Sequence, residues 1–89
     1  MKKIDVLRKD IDRIDRNIIK LLAKRIILVK KIGKIKKENE MKIFDSRRWV
    51  EVMEKVLTHS EEHGVEKKFT LSLYKLIHNH AMKKEEDQK

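Results

Sequence analysis

Arg25 sits where an apolar residue belongs. The stripe Ile14, Ile18, Leu21 continues by its own spacing to Arg25 before resuming at Leu28 and Ile32. A guanidinium in an apolar seam is costly unless something anionic meets it. From periodicity alone, the commoner explanation is an Arg that snorkels or pairs with a buried acid. The alternative is an anion site. Lys36 comes 11 residues later, roughly 20° round a helix from Arg25 and about 16 Å along its axis. The two share a face, and two long side chains reaching toward each other can hold one small dianion. Arg8 precedes Arg25 by 17 residues, roughly 25 Å away and about 100° round the helix. Within one chain it cannot serve the same pocket. In an antiparallel or crossed pair of such helices, Arg8 of one copy can reach the pocket of the other.

Asp45 and Arg48 are three apart and face the same way at the start of a second helix, where the ordinary role of Asp45 is the N-cap. Glu85 falls on one helical line with Tyr74, His78 and Ala81, and its ordinary role is a solvated, frayed end. His59 and His63 are spaced i,i+4, and His78 and His80 are two apart, but Ser60-Glu61-Glu62 misplaces the Glu of a zinc-binding HExxH helix, so no metal is expected. There is no Ser/His/Asp pattern, no Gly-rich phosphate loop and no cofactor motif. An enzyme built on this chain works by placing charges around a substrate.

Three helices position these groups. Apolar residues recur at Ile4, Leu7, Ile11, Ile14, Ile18, Leu21, Leu28, Ile32 and Ile35, which predicts one helix from about 4 to 38. At ~1.5 Å per residue it is roughly 50 Å long, too long to be covered by the 50 or so residues that follow, so it is expected to cross or pair with a second copy. Residues 38–44 read as a loop. A second helix is expected over 45–61, with Trp49, Val52, Met53, Val56 and Leu57 inward. Gly64 ends it in the left-handed role. A third is expected over 66–84, with Phe69, Leu73, Leu76, Ile77 and His80 inward, followed by a fraying tail from Glu85 to Lys89. The fold class is all-α: one domain over 1–89, expected as an intertwined helical homodimer.

Composition narrows the function. The 89 residues are 39% hydrophobic and 44% charged, so a lone chain has little core and partner burial is expected to stabilise it. Pro and Cys are absent, which excludes a disulfide framework and thiolate metal sites. Neither a membrane span nor a signal peptide is visible, and a cytoplasmic location is expected. The net charge of +9 is concentrated: residues 1–37 hold 14 Lys/Arg against 4 Asp, while residues 38–89 hold 10 against 11 Asp/Glu. A basic segment attracts either nucleic acid or small polycarboxylates.

Taken in order, several stretches carry a resemblance: Leu7-Arg8 with Ile11 and Ile14-Asp15, then Leu21-Leu22-Ala23-Lys24-Arg25, then Ile32-Gly33-Lys34-Ile35-Lys36, and last Asp45-Ser46-Arg47-Arg48 with a third helix after His63-Gly64-Val65. Their order and spacing resemble the all-helical AroQ class (type II) of chorismate mutases over most of the chain. The resemblance implies an intertwined homodimer with two identical sites, no cofactor, and isomerisation of chorismate to prephenate on the way to phenylalanine and tyrosine. It implies that Arg25 and the partner's Arg8 grip two carboxylates. Lys36 would donate to one carboxylate and the ether oxygen, and Asp45 and Arg48 would orient the ring hydroxyl and the start of the second helix.

Three positions depart from the family pattern. Trp49 stands where a Glu often contacts the substrate hydroxyl, Ala81 where a Ser often lies, and Glu85 where a Gln often donates to the ether oxygen. An ionised Glu cannot donate. To serve the ether oxygen Glu85 must carry a proton, which burial favours. Turnover is then expected to fall as pH rises through neutrality.

Three rival readings compete with this one. An isochorismate pyruvate lyase on a similar fold would release salicylate. A basic nucleic-acid-binding helical protein would use the charge on the first helix, although only four aromatics are present and no helix-turn-helix spacing appears. A plain dimerisation coiled coil would use Arg25 only to fix register. The expected partners are a dicarboxylate substrate and a second copy, with no nucleic acid and no membrane.

Overall fold

The computed structural model describes residues 1–88. Three helices account for nearly all of them: α1 (Lys2–Glu38), α2 (Ser46–Glu62) and α3 (Lys67–Glu86). There is no strand among the described residues. The helices match the expected ones, with α1 starting two residues earlier and α3 reaching Glu86 where 84 was expected. No helix is long and apolar enough to cross a membrane.

The ends are set by local chemistry. Asp45 caps α2, its Oδ1 accepting from the Arg48 backbone N–H at 3.1 Å. At the far end of α2 the Val65 N–H reaches back to the Ser60 carbonyl at 2.8 Å while Gly64 takes φ 69°, the left-handed turn that glycine makes without a Cβ clash. The end of α1 closes the same way without a glycine. Met41 N–H reaches Lys36 O at 2.8 Å, and Glu40 is forced to φ 54°. An L-residue there costs about 1–2 kcal/mol.

Helix α3 packs against both α1 and α2, and α1 and α2 do not pack on each other. Its inward line is Thr70, Tyr74, Ile77, His78 and Ala81, and Ser60 and Thr70 share a buried hydroxyl–hydroxyl hydrogen bond between α2 and α3. The α2 face is as expected, with Trp49, Val52, Met53, Val56 and Leu57 half-buried or buried. The α3 face is not. Of the five residues expected inward only Ile77 is covered; Phe69 and Leu76 are 61% and 70% exposed, and His80 faces solvent. Periodicity shows which residues share a stripe, but not which stripe the chain's own helices cover. The expected fraying from Glu85 onward is also corrected: Glu85 and Glu86 are helical, Glu85 is half-buried, and Gln88 donates to the Lys84 carbonyl at 3.0 Å. Lys89 lies outside the described residues.

The molecule extends 57 × 26 × 15 Å. Among the described residues the buried apolar ones are few: Val29, Met53 and Ala81, and none is fully sealed from solvent. Every residue of 1–21 is exposed, including Ile4, Leu7, Ile11, Ile14 and Ile18.

Candidate active site

The charged cluster forms where the C-terminal half of α1 meets the last turns of α3. Gly33 makes that meeting possible. A Cβ built on it would stand 2.5 Å from the Cα and 2.7 Å from the carbonyl oxygen of Glu85. Only a bare backbone lets α3 come this close, and the close approach delivers Glu85 to Lys36, one turn along α1. Lys36 Nζ lies 2.6 Å from Glu85 Oε1, with both side chains nearly covered. The contact is a tight ion pair. Lys36 also donates to the Ile43 carbonyl at 2.7 Å. Lys36 thus ties down the α1–α2 loop two residues before the Asp45 cap.

His78 stands two turns before Glu85 on the same side of α3. Its ring lies on Trp49 of α2, with centroids 4.4 Å apart and planes tilted by 41°, and Phe44 meets it edge-on at 5.9 Å. Burial pushes its pKa below the usual 6.5. Glu85 pulls the other way, and Arg25 and Lys36 reinforce the lowering. The imidazole is therefore held neutral, and these three charges lie within electrostatic reach of it. Its Nε2 is buried without a hydrogen-bond partner.

Arg25 is half-buried and lines a groove of about 290 Å³ between α1 and α3, walled otherwise by His80 and by apolar side chains, Leu22, Val29, Leu76, Ile77 and Ala81 among them. Lys36 and Glu85 are not part of that groove's wall. Arg25 therefore faces both an apolar trough and the polar cluster around His78. Together Arg25, Lys36 and Glu85 leave one net positive charge, too little to balance a dianion.

Arg25 and Lys36, far apart along α1, both lie within electrostatic reach of His78. The pattern of the chorismate mutase type II family matches residues 7–86. The chain is similar to a chorismate mutase of Methanocaldococcus jannaschii, 30% identical over 96% of this chain and 88% of that protein. It is also 42% identical over 70% of its length to a bifunctional chorismate mutase/prephenate dehydratase of Aquifex aeolicus, of which it spans 17%. A T-protein of Haemophilus influenzae is 32% identical over 73% of this chain and 17% of its own length. The chain belongs to the type II chorismate mutases. Its enzyme class is accordingly that of an isomerase.

Within this chorismate mutase domain the expected residues fall into two groups. Arg25, Lys36, Ala81 and Glu85 gather between α1 and α3. Asp45 and Arg48 are exposed at the start of α2, where Asp45 caps the helix and the Arg48 guanidinium stands 3.8 Å from Glu51. Arg8 is exposed on the bare part of α1. Three features escape the sequence: His78 as a member of the cluster, Gly33 as its spacer, and the Ile43 carbonyl as a ligand of Lys36. The i,i+7 spacing of His78 and Glu85 is the available signal, but a histidine line on a helix is seldom informative until its neighbours are known.

Proposed function

We propose that this chain isomerises chorismate to prephenate in a site that two copies build together. The supporting observation is that Arg25, Lys36 and Glu85 surround His78 where α3 covers α1, while the stretch of α1 that carries Arg8 is bare. The helix is continuous from Lys2 to Glu38, so Arg8 lies roughly 25 Å from Arg25 in its own chain. A second copy crossing α1 brings its Arg8 to the cluster and raises its net charge to that of a dicarboxylate's counterpart.

The reaction is an intramolecular pericyclic rearrangement: one C–O bond breaks as one C–C bond forms. No nucleophile is required. Catalysis consists of holding the compact conformer and stabilising negative charge on the departing ether oxygen. Arg25 and the partner's Arg8 fit two carboxylates because the planar guanidinium meets each with two parallel hydrogen bonds. On substrate binding Lys36 exchanges Glu85 for a carboxylate and the ether oxygen. Glu85, released from Lys36, stands by the same oxygen and can donate to it only by taking up a proton. Asp45 and Arg48 keep the α1–α2 loop and the start of α2 in place beside the ring hydroxyl.

Subunit complementation tests this reading. Arg25→Ala and Arg8→Ala homodimers should each lose on the order of 10²-fold or more in chorismate turnover. Unfolded and refolded together, they should recover about a quarter of normal activity, because half the dimers are mixed and each mixed dimer holds one intact site. No recovery would place Arg8 and Arg25 in one chain's site or in none.

A further inference from the structure

The geometry points to His78 as a substrate-contacting residue that reads the ring hydroxyl of the bound dicarboxylate. The inference rests on the chorismate reading and deepens it. Of two buried polar atoms on one side of α3, Glu85 Oε1 is satisfied by its ion pair with Lys36, whereas His78 Nε2 has no hydrogen-bond partner. Leaving such an atom unsatisfied is costly, and a native structure usually has a use for it. Seven residues separate them, about 10 Å along the helix, and the residue between them on that line is Ala81, whose methyl fills the least space of any side chain but glycine.

The substrate's groups can be apportioned by chemistry. The carboxylates are acceptors only and go to the guanidinium and ammonium cations. The ether oxygen is an acceptor and goes to Lys36 and protonated Glu85. The hydroxyl remains, and it both donates and accepts. A neutral imidazole nitrogen does one or the other depending on its tautomer, so a hydroxyl satisfies His78 Nε2 in either case. The imidazole is held in place by its neighbours, Trp49 covering one face and Phe44 meeting its edge. Burial, with the nearby cations Arg25 and Lys36, opposes protonation against the pull of Glu85, so the imidazole adds no further positive charge. Lys36 and Glu85 are the charged side chains that must part when a carboxylate arrives, and their parting opens the way to Nε2.

The test compares chorismate with an analogue that lacks the ring hydroxyl, in the unaltered enzyme, His78→Leu and His78→Gln. The unaltered enzyme should favour chorismate by about 10- to 100-fold in kcat/KM. His78→Leu should lose most of that preference, with the analogue's kcat/KM within about threefold of normal, and His78→Gln should restore part of it. Equal losses on both substrates, or no loss on chorismate, would overturn the role. Nitrogen NMR of the unaltered protein gives a readout independent of folding of the variants. Added prephenate, which retains the hydroxyl, should move the His78 Nε2 resonance while leaving His59 and His63 in place; an unmoved His78 would also overturn it. An unaltered enzyme that turns over neither compound would instead defeat the mutase reading itself.

Discussion

The two halves of α1 carry the same apolar rhythm but differ in their neighbours: the stripe is exposed in both, at Ile11, Ile14 and Ile18 and again at Leu28, Ile32 and Ile35, and only the second half packs on α3, through an adjoining face. From Leu22 to Lys36 the helix lies under α3: Val29 and Gly33 are buried, and Arg25, Ile26 and Lys36 are half-buried. From Met1 to Leu21 nothing covers it, although Ile11, Ile14 and Ile18 repeat at the same spacing. A helix that is amphipathic along its whole length gains little from an apolar stripe left in water. The apolar residues left exposed along α1 are a patch of the kind that supports the proposed pairing with a second copy. Charge follows the same division. The covered half holds Arg25 and Lys36 beside an acid, while the bare half holds Arg8 with no counterpart at the cluster.

The sharpest way to break this comparison is to place charge on the bare half. Ile14→Asp with Ile18→Asp would change the stability of an uncovered helix by no more than about 0.5 kcal/mol per site. If a second copy buries these positions, each charge costs several kcal/mol. Sedimentation should then show monomers, and chorismate turnover should fall by on the order of 10²-fold or more as the shared site is lost. Dimers with normal turnover would mean that the bare half is a solvated extension.

On the covered half, Gly33→Ala should force α3 away from α1, because the added methyl meets the backbone of Glu85 and not a flexible tip. We expect a loss of about 1–3 kcal/mol in denaturant unfolding and a larger proportional loss of turnover, since Glu85 leaves Lys36. Unchanged turnover would separate the close approach from the chemistry. A smaller effect is expected from Glu85→Gln. Gln donates without having to carry a proton, so this substitution should keep chorismate turnover within about tenfold of normal; a loss as large as that of Arg25→Ala would remove the donor role from this position. The smallest effect should come from Glu40→Gly, which relieves the left-handed turn at the end of α1 and should stabilise the fold by about 1 kcal/mol in the same unfolding assay. It leaves the bare half untouched, so its benefit should be the same whatever covers that half.

Much of this is open to reading in the linear chain. The three helices, the Asp45 cap and the Gly64 turn follow from periodicity and from the conformational needs of single residues, which act over a few positions and leave a local trace. Arg25 stands out because it interrupts a stripe, and Lys36 because 11 residues bring a helix back nearly to the same side. The exposed Phe69, Leu76 and His80 show where this kind of reading stops. They share a stripe with Leu73, yet α3 turns a neighbouring stripe toward α1 and α2, and no periodicity in α3 alone records which neighbours it has. The expectation of a frayed end at Glu85 fails for the same reason: nothing near it in sequence reveals that Gly33, 52 positions earlier, leaves room for its backbone.

The order of residues is enough to fix local features: where helices begin and end, which faces are apolar, and which cations share a side of α1. Packing alone selects the partners across helices: Lys36 with Glu85 and the Ile43 carbonyl, and His78 with Trp49, Phe44 and three charges. The physical reason is range. Backbone hydrogen bonds and capping act within about four residues, whereas the desolvation and charge pairing that define this site depend on groups brought together from distant parts of the chain.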